Sequence, residues 1–94
     1  MNIFDYEKIP EHLMRRIKMY VDHGQNLGGF LYAIFTNDLF KAVGKADDIN
    51  MPLIQIYVAY IVNEVPYNCH GSKEIVDLWI EKKQNESKNL GESE

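Results

Sequence analysis

"GGFLYAIFTNDLFKAVGKADDIN", residues 28–50, is the stretch on which the fold turns. It is too apolar for a surface loop, yet Gly28-Gly29 precede its apolar run and Asn37-Asp38 break it. Phe30, Leu31, Ile34 and Phe35 recur at the three- and four-residue steps of one helical face. Asn37 or Thr36 can cap a new turn, so Asp38 to Gly44 reads as a third, short helix carrying Leu39, Ala42 and Val43. The segment therefore predicts two short helices broken at a polar corner.

Working outward, Pro10 suits the first turn of a preceding helix, where a missing N–H costs nothing. Leu13, Met14, Ile17, Tyr20 and Val21 form its apolar stripe, and Gly24 is its natural stop. Arg15, Arg16 and Lys18 fall off that stripe, toward solvent. Ahead of it, Ile3, Phe4, Tyr6 and Ile9 make an N-terminal arm able to pack on the body. Downstream, Asp47 and Asp48 suit a helix start, and Pro52 is tolerable so near it. Leu53 to Val62 is apolar nearly all round, which predicts a central, buried helix over residues 53–63. A strand competes there, because β-branched and aromatic residues dominate; length and the preceding caps favour helix. Val65-Pro66 to Gly71 is a turn, and Ser72 caps a last helix with Ile75, Val76, Trp79 and Ile80 on one face. The reading is an all-α bundle of four to five helices, with one domain over residues 1–82 and a disordered polar tail over 83–94.

Totals narrow the classes. The 94 residues are 46% hydrophobic and 12% aromatic, the composition of a packed globule. A core of this size yields roughly 3–5 kcal/mol net. One cysteine, Cys69, cannot form an internal disulfide. Phe30, Phe35, Phe40, Tyr57, Tyr60 and Trp79 are more bulk than so small a bundle is expected to hide, so a homo-oligomer is expected. Ten Lys+Arg against 14 Asp+Glu give a net charge of −4, without the basic footprint of a duplex nucleic-acid binder. The longest apolar stretch is too short to span a bilayer, and Met1 to Ile9 lacks the pattern of a signal peptide. A cytoplasmic protein is expected.

Candidate chemistry is sparse. His12, His23, His70 and Cys69 show no metal-ligand spacing, so no metal or cofactor is expected. Cys69 and His70 are neighbours in a turn, and nothing selects Asp22 or Asp77 as the orienting third group. Asp38, Asp47 and Asp48 read as caps or as a carboxylate cluster. Gly28-Gly29 either let another helix approach or aim free N–H groups at an anion. On the second reading, Arg15, Arg16, Lys41 and Lys45 supply charge. Tyr32, Phe35 or Phe40 would stack a base, and Asn37 and Asp38 would read its edge or a ribose.

"YVDHGQNLGGFLYAIFTNDLFKAVGKADDIN", then "VPYNCHGS" and a Trp in the last helix, resembles a family of small tailed-phage and prophage proteins. The match covers most of residues 9–80. His23, Gly24, Gly28, Gly29, Asn37, Asp38, Asp47 and Asn50 match its motif, whereas His70 stands where the family has an aromatic. The resemblance implies a phage context and an infected host cell. By class, small acidic phage proteins without an enzyme signature imply an anti-defence factor, one that sequesters a nucleotide immune messenger (a cyclic nucleotide or ADP-ribose type) without catalysis. The rival expectation is a non-enzymatic antagonist that docks on a host defence protein.

Overall fold

Pro10 and Gly24 bracket the first helix, α1, which spans Glu11–His23. In the computed structural model, which describes the backbone of residues 5–92 and the side chains of residues 5–86, Pro10 is the N-cap and Gly24 the C-cap. Gly24 is left-handed at φ 68°, and its N–H reaches the Tyr20 carbonyl at 2.8 Å. The next helices are α2, Gly29–Phe35, and α3, Leu39–Lys45. They are joined by the corner Thr36–Asp38. A turn closed by Asp47, whose Oδ1 accepts from the Asn50 N–H at 2.8 Å, leads through a 3₁₀ turn at Met51–Leu53 into α4, Ile54–Glu64. Ser72 caps α5, Lys73–Glu92, by accepting from the Ile75 N–H at 3.2 Å. The described residues are all-helical, with five α-helices and no strand. No described helix is long and apolar enough to cross a membrane.

The core gathers one face from each of four helices: Ile17 and Tyr20 of α1, Leu31 and Phe35 of α2, Tyr57 and Ile61 of α4, and Val76 and Trp79 of α5. Tyr20 is fully buried and packs edge-on against Phe35, with ring centroids 5.2 Å apart. Its hydroxyl donates to the Cys69 carbonyl at 2.6 Å, and the Trp79 indole N–H donates to the Tyr20 and Val21 carbonyls. Tyr57 likewise donates to Asn50 Oδ1 at 2.7 Å. No buried side-chain nitrogen or oxygen among the described residues lacks a partner.

Three expectations change. Helix α4 is not enclosed: Val58 and Val62 are 45% and 66% exposed, because α2 and the 3₁₀ turns cover only one side of it. Of the six bulky aromatics, all but Phe40 are buried or half-buried, so they do not supply the surplus of apolar surface expected of them. The polar segment from Lys83 continues α5 to Glu92 instead of leaving it as a tail. Local contacts account for this: the Lys83 ammonium lies 4.9 Å from the Trp79 ring, Gln84 reaches the Gly24 carbonyl at 3.4 Å, and Glu, Lys and Gln are good helix formers. Residues 93 and 94 of that segment, and Ile3 and Phe4 of the N-terminal arm, lie outside the described residues.

Gly24 is the backbone crossing point of α1 and α5. A Cβ there would lie 2.8 Å from the Lys83 Cβ and 3.0 Å from the Ile80 carbonyl oxygen, while one on Gly44 would meet nothing within 4 Å. Gly24→Ala is therefore expected to cost about 1–3 kcal/mol. Gly44→Ala, inside α3, should stabilise by roughly 0.5–1 kcal/mol. Thermal melts should move in opposite directions, by about 4–8 °C per kcal/mol.

The buried hydroxyls and thiol also set the alkaline limit. Burial pushes the Cys69 thiol from 9.0 to about 11. Burial, then the Asp47 charge, pushes Tyr57 from 10.0 to about 12, and burial raises Tyr20 further. The folded chain thus keeps protons that the unfolded chain has lost, so stability is whole below pH 9 and falls as pH rises from 9 toward 12. Urea titrations should show a slope approaching about 1.4 kcal/mol per pH unit for each titrating group. In Tyr57→Phe the part of the loss above pH 10 should flatten.

Candidate functional site

Removing two side chains makes room for two cations. Gly28, at φ 82°, leaves space that the Arg16 guanidinium enters from α1, and its N–H donates to Asn26 Oδ1 at 2.8 Å. A Cβ on Gly29 would lie 3.1 Å from Lys45 Cδ and 3.5 Å from its Nζ, so the Lys45 stem crosses the amino end of α2 closely enough that a larger residue would push it aside. Neither Arg16 nor Lys45 has an ion-pair partner among the described residues. The glycine pair thus resolves into a third possibility, a berth for basic side chains.

Lys45 is one wall of a groove of about 250 Å³ between α2, α3 and the start of α5. Gly29, Tyr32, Ala33 and Thr36 line it from α2 and its end, Asp38, Lys41 and Lys45 from α3, and Lys73 from α5. Three ammonium groups therefore surround one concavity. Two are partly compensated. Lys41 lies 3.9 Å from Asp38, and Lys73 makes a 2.5 Å ion pair with Asp77. Asp77 also accepts from the Tyr32 hydroxyl at 2.7 Å. Hydrogen bonds from Lys73 and then Tyr32 hold the Asp77 carboxyl below its usual range, and the same contacts raise Lys73 and Tyr32. With Asp38 and Asp77 counted against Lys41 and Lys73, Lys45 is the groove cation left without an acidic partner among the described residues.

The sequence-chosen residues divide. Gly29, Tyr32, Asp38 and Lys41 line the groove; Gly28 and Arg16 do not, and lie against each other just ahead of Gly29. Arg15 does not join them: it is exposed on α1 and pairs with Glu11 at 3.5 Å. Phe35 is fully buried against Tyr20, and Phe40 is 88% exposed on α3; neither lines the groove. Asn37 lines a separate, more apolar depression with Ile34, Val58 and His70. Asn37 is the left-handed residue that ends α2, at φ 63°, with its N–H returning to Ile34 and that of Asp38 to Ala33. Asp38, not Asn37 or Thr36, caps α3, accepting from the Lys41 N–H at 3.2 Å.

Lys73 and Asp77 were not singled out in the sequence. Their four-residue spacing shows an ion pair on one helix face. Nothing local shows that this face meets Tyr32, 45 residues away in sequence. Elsewhere, Cys69 is buried, with a thiol too basic to act as a nucleophile near neutrality, and burial lowers the pKa of half-buried His70. No three His, Cys, Asp or Glu side chains converge as a metal site among the described residues.

No protein-family model matches the chain, and no curated protein or solved structure matches it. Any functional reading therefore rests on the chemistry of the groove.

Mutation separates the backbone and capping roles of the two corner residues. Asn37→Ala forces a left-handed alanine and should lower stability by about 1–2 kcal/mol. Asp38→Ala removes the α3 cap and should cost about 0.5–2 kcal/mol. Asn37→Gly should restore wild-type stability or exceed it. Denaturant melts of the three variants check this.

Proposed function

We propose that the protein binds a small phosphate-bearing nucleotide in the α2–α3–α5 groove and holds it without turning it over. The observation that carries this reading is the convergence of Lys41, Lys45 and Lys73 on one concavity, with the Arg16 guanidinium against Gly28, the residue before the groove's Gly29. Cations gathered against the net charge of the chain favour an anion, and phosphate oxygens accept from several ammonium donors at once. Tyr32 offers the groove an aromatic surface. Absence of turnover is supported by how the polar groups there are engaged. Thr36 donates its hydroxyl proton to the Tyr32 carbonyl at 2.8 Å, Asp38 caps α3, and Asp77 is bound by Lys73 and Tyr32. In the phage context that the resemblance implies, and by analogy of class and size, such a binder would act as an anti-defence factor that withdraws a nucleotide messenger in an infected cell.

A second reading, an antagonist that docks on a host defence protein, is favoured by one observation. On α3, Leu39 and Phe40 are 59% and 88% exposed. Such an apolar pair is a natural contact for a protein partner.

Calorimetry across cyclic di- and trinucleotides and ADP-ribose compounds separates the two. A ligand is expected to bind below about 10 μM, roughly −7 kcal/mol. It should be recovered intact after denaturation, and Lys45→Glu should weaken it by at least about tenfold. If none of these ligands binds, the groove reading gives way to the antagonist one. In that case Phe40→Ala should abolish complex formation with the defence enzyme.

A further inference from the structure

We infer that the groove selects its ligand by the phosphate group and not by the base, and that its ligand class is the diphosphate or phosphate monoester rather than the phosphodiester. This rests on the nucleotide-binding reading above and narrows it. The first argument is which groups are free. A base edge is read by side chains with uncommitted donors and acceptors. Around this groove, Tyr32 gives its hydroxyl to Asp77, and Thr36 gives its proton to backbone carbonyls. Asp38 is held by the Lys41 N–H and lies beside the Lys41 ammonium, and Asn37 faces a different depression. The charged groups left without a partner are Lys45 and Arg16, and they are cations. What the groove can recognise is negative charge.

Charge count and size point the same way. Asp38 offsets Lys41 and Asp77 offsets Lys73, leaving, among the described residues, two positive charges without an ion-pair partner: Lys45 against Gly29 and Arg16 against Gly28, the residue before it. A phosphate monoester near neutrality carries close to two negative charges on one phosphorus, and a diphosphate at least two on adjacent ones, which matches that pair. A cyclic dinucleotide carries single charges on diesters held apart by sugars. The groove, at about 250 Å³, is also below the roughly 300–1,000 Å³ of pockets that enclose a drug-sized ligand. It therefore holds the phosphate end and leaves the remainder outside.

Calorimetry on the full chain at low ionic strength tests this with inorganic pyrophosphate, ADP, GDP, ADP-ribose, adenosine and cyclic di-AMP. Pyrophosphate, ADP and GDP should bind within about threefold of one another, adenosine should not bind, and cyclic di-AMP should be at least about tenfold weaker. Lys45→Ala and Arg16→Ala should each weaken pyrophosphate about tenfold, and Lys45→Arg should recover most of that loss. Circular dichroism confirms that each variant is folded. If ADP binds more than tenfold tighter than both GDP and pyrophosphate, or cyclic di-AMP binds tightest, the inference is wrong while nucleotide binding stands. If no phosphate compound binds, both fall.

Discussion

One side chain, Tyr20, joins elements that would otherwise have little to hold them together. Its ring meets Phe35 at the end of α2, and its hydroxyl closes on the Cys69 carbonyl in the turn before α5. Its own carbonyl receives the Trp79 indole, so α1, α2 and α5 share a single anchor. The Phe35 carbonyl, left open where α2 ends, is taken up by the Gly71 N–H at 2.8 Å beside that turn. In a chain of 94 residues without a disulfide, a fully buried tyrosine with both ends bonded specifies the arrangement more narrowly than apolar contact alone.

The groove is a by-product of that arrangement. Anchoring α5 at Trp79 presents Lys73 and Asp77 toward Tyr32, while the Thr36–Asp38 corner folds α3 back so that Lys41 and Lys45 point into the same space. Helix α5 thus serves two purposes by angular position: Val76, Trp79 and Ile80 belong to the core, and Lys73 and Asp77 belong to the groove. The short helices matter for the same reason. A longer α2 could not end at Asn37 and turn its successor toward its own amino end.

Much of this was legible in the sequence because caps and periodicity are local. Gly24 and Ser72 act as their residue types predict, and the Asn37-Asp38 break is the corner between two helices, whereas Asp47 closes the turn ahead of α4 instead of capping it. What local pattern could not supply was which side of an apolar helix is covered. Leu53 to Val62 looks equally apolar in every direction, and only the number of available neighbours decides that Val58 and Val62 face outward. The same limit governed the site. Lys41, Tyr32 and the glycines were visible as a basic, glycine-rich segment, but Lys73 enters through a tertiary contact. Conversely, Arg15 and Arg16 look equivalent in sequence, and a helical rotation of about 100° per residue separates them. One pairs with Glu11 on the outer surface, and the other reaches Gly28.

The position of Lys45 and Arg16 has a further consequence. Both cations lie against the amino end of α2, where unpaired N–H groups already carry partial positive charge. Like charge has been gathered where folding alone would favour an acidic residue. The fold is locally frustrated there, a conflict that the proposed anion would relieve. Substitutions that neutralise Lys45 would ease that repulsion and, on the proposed reading, strip the groove of its attraction, so stability and the proposed binding would oppose each other at this one lysine.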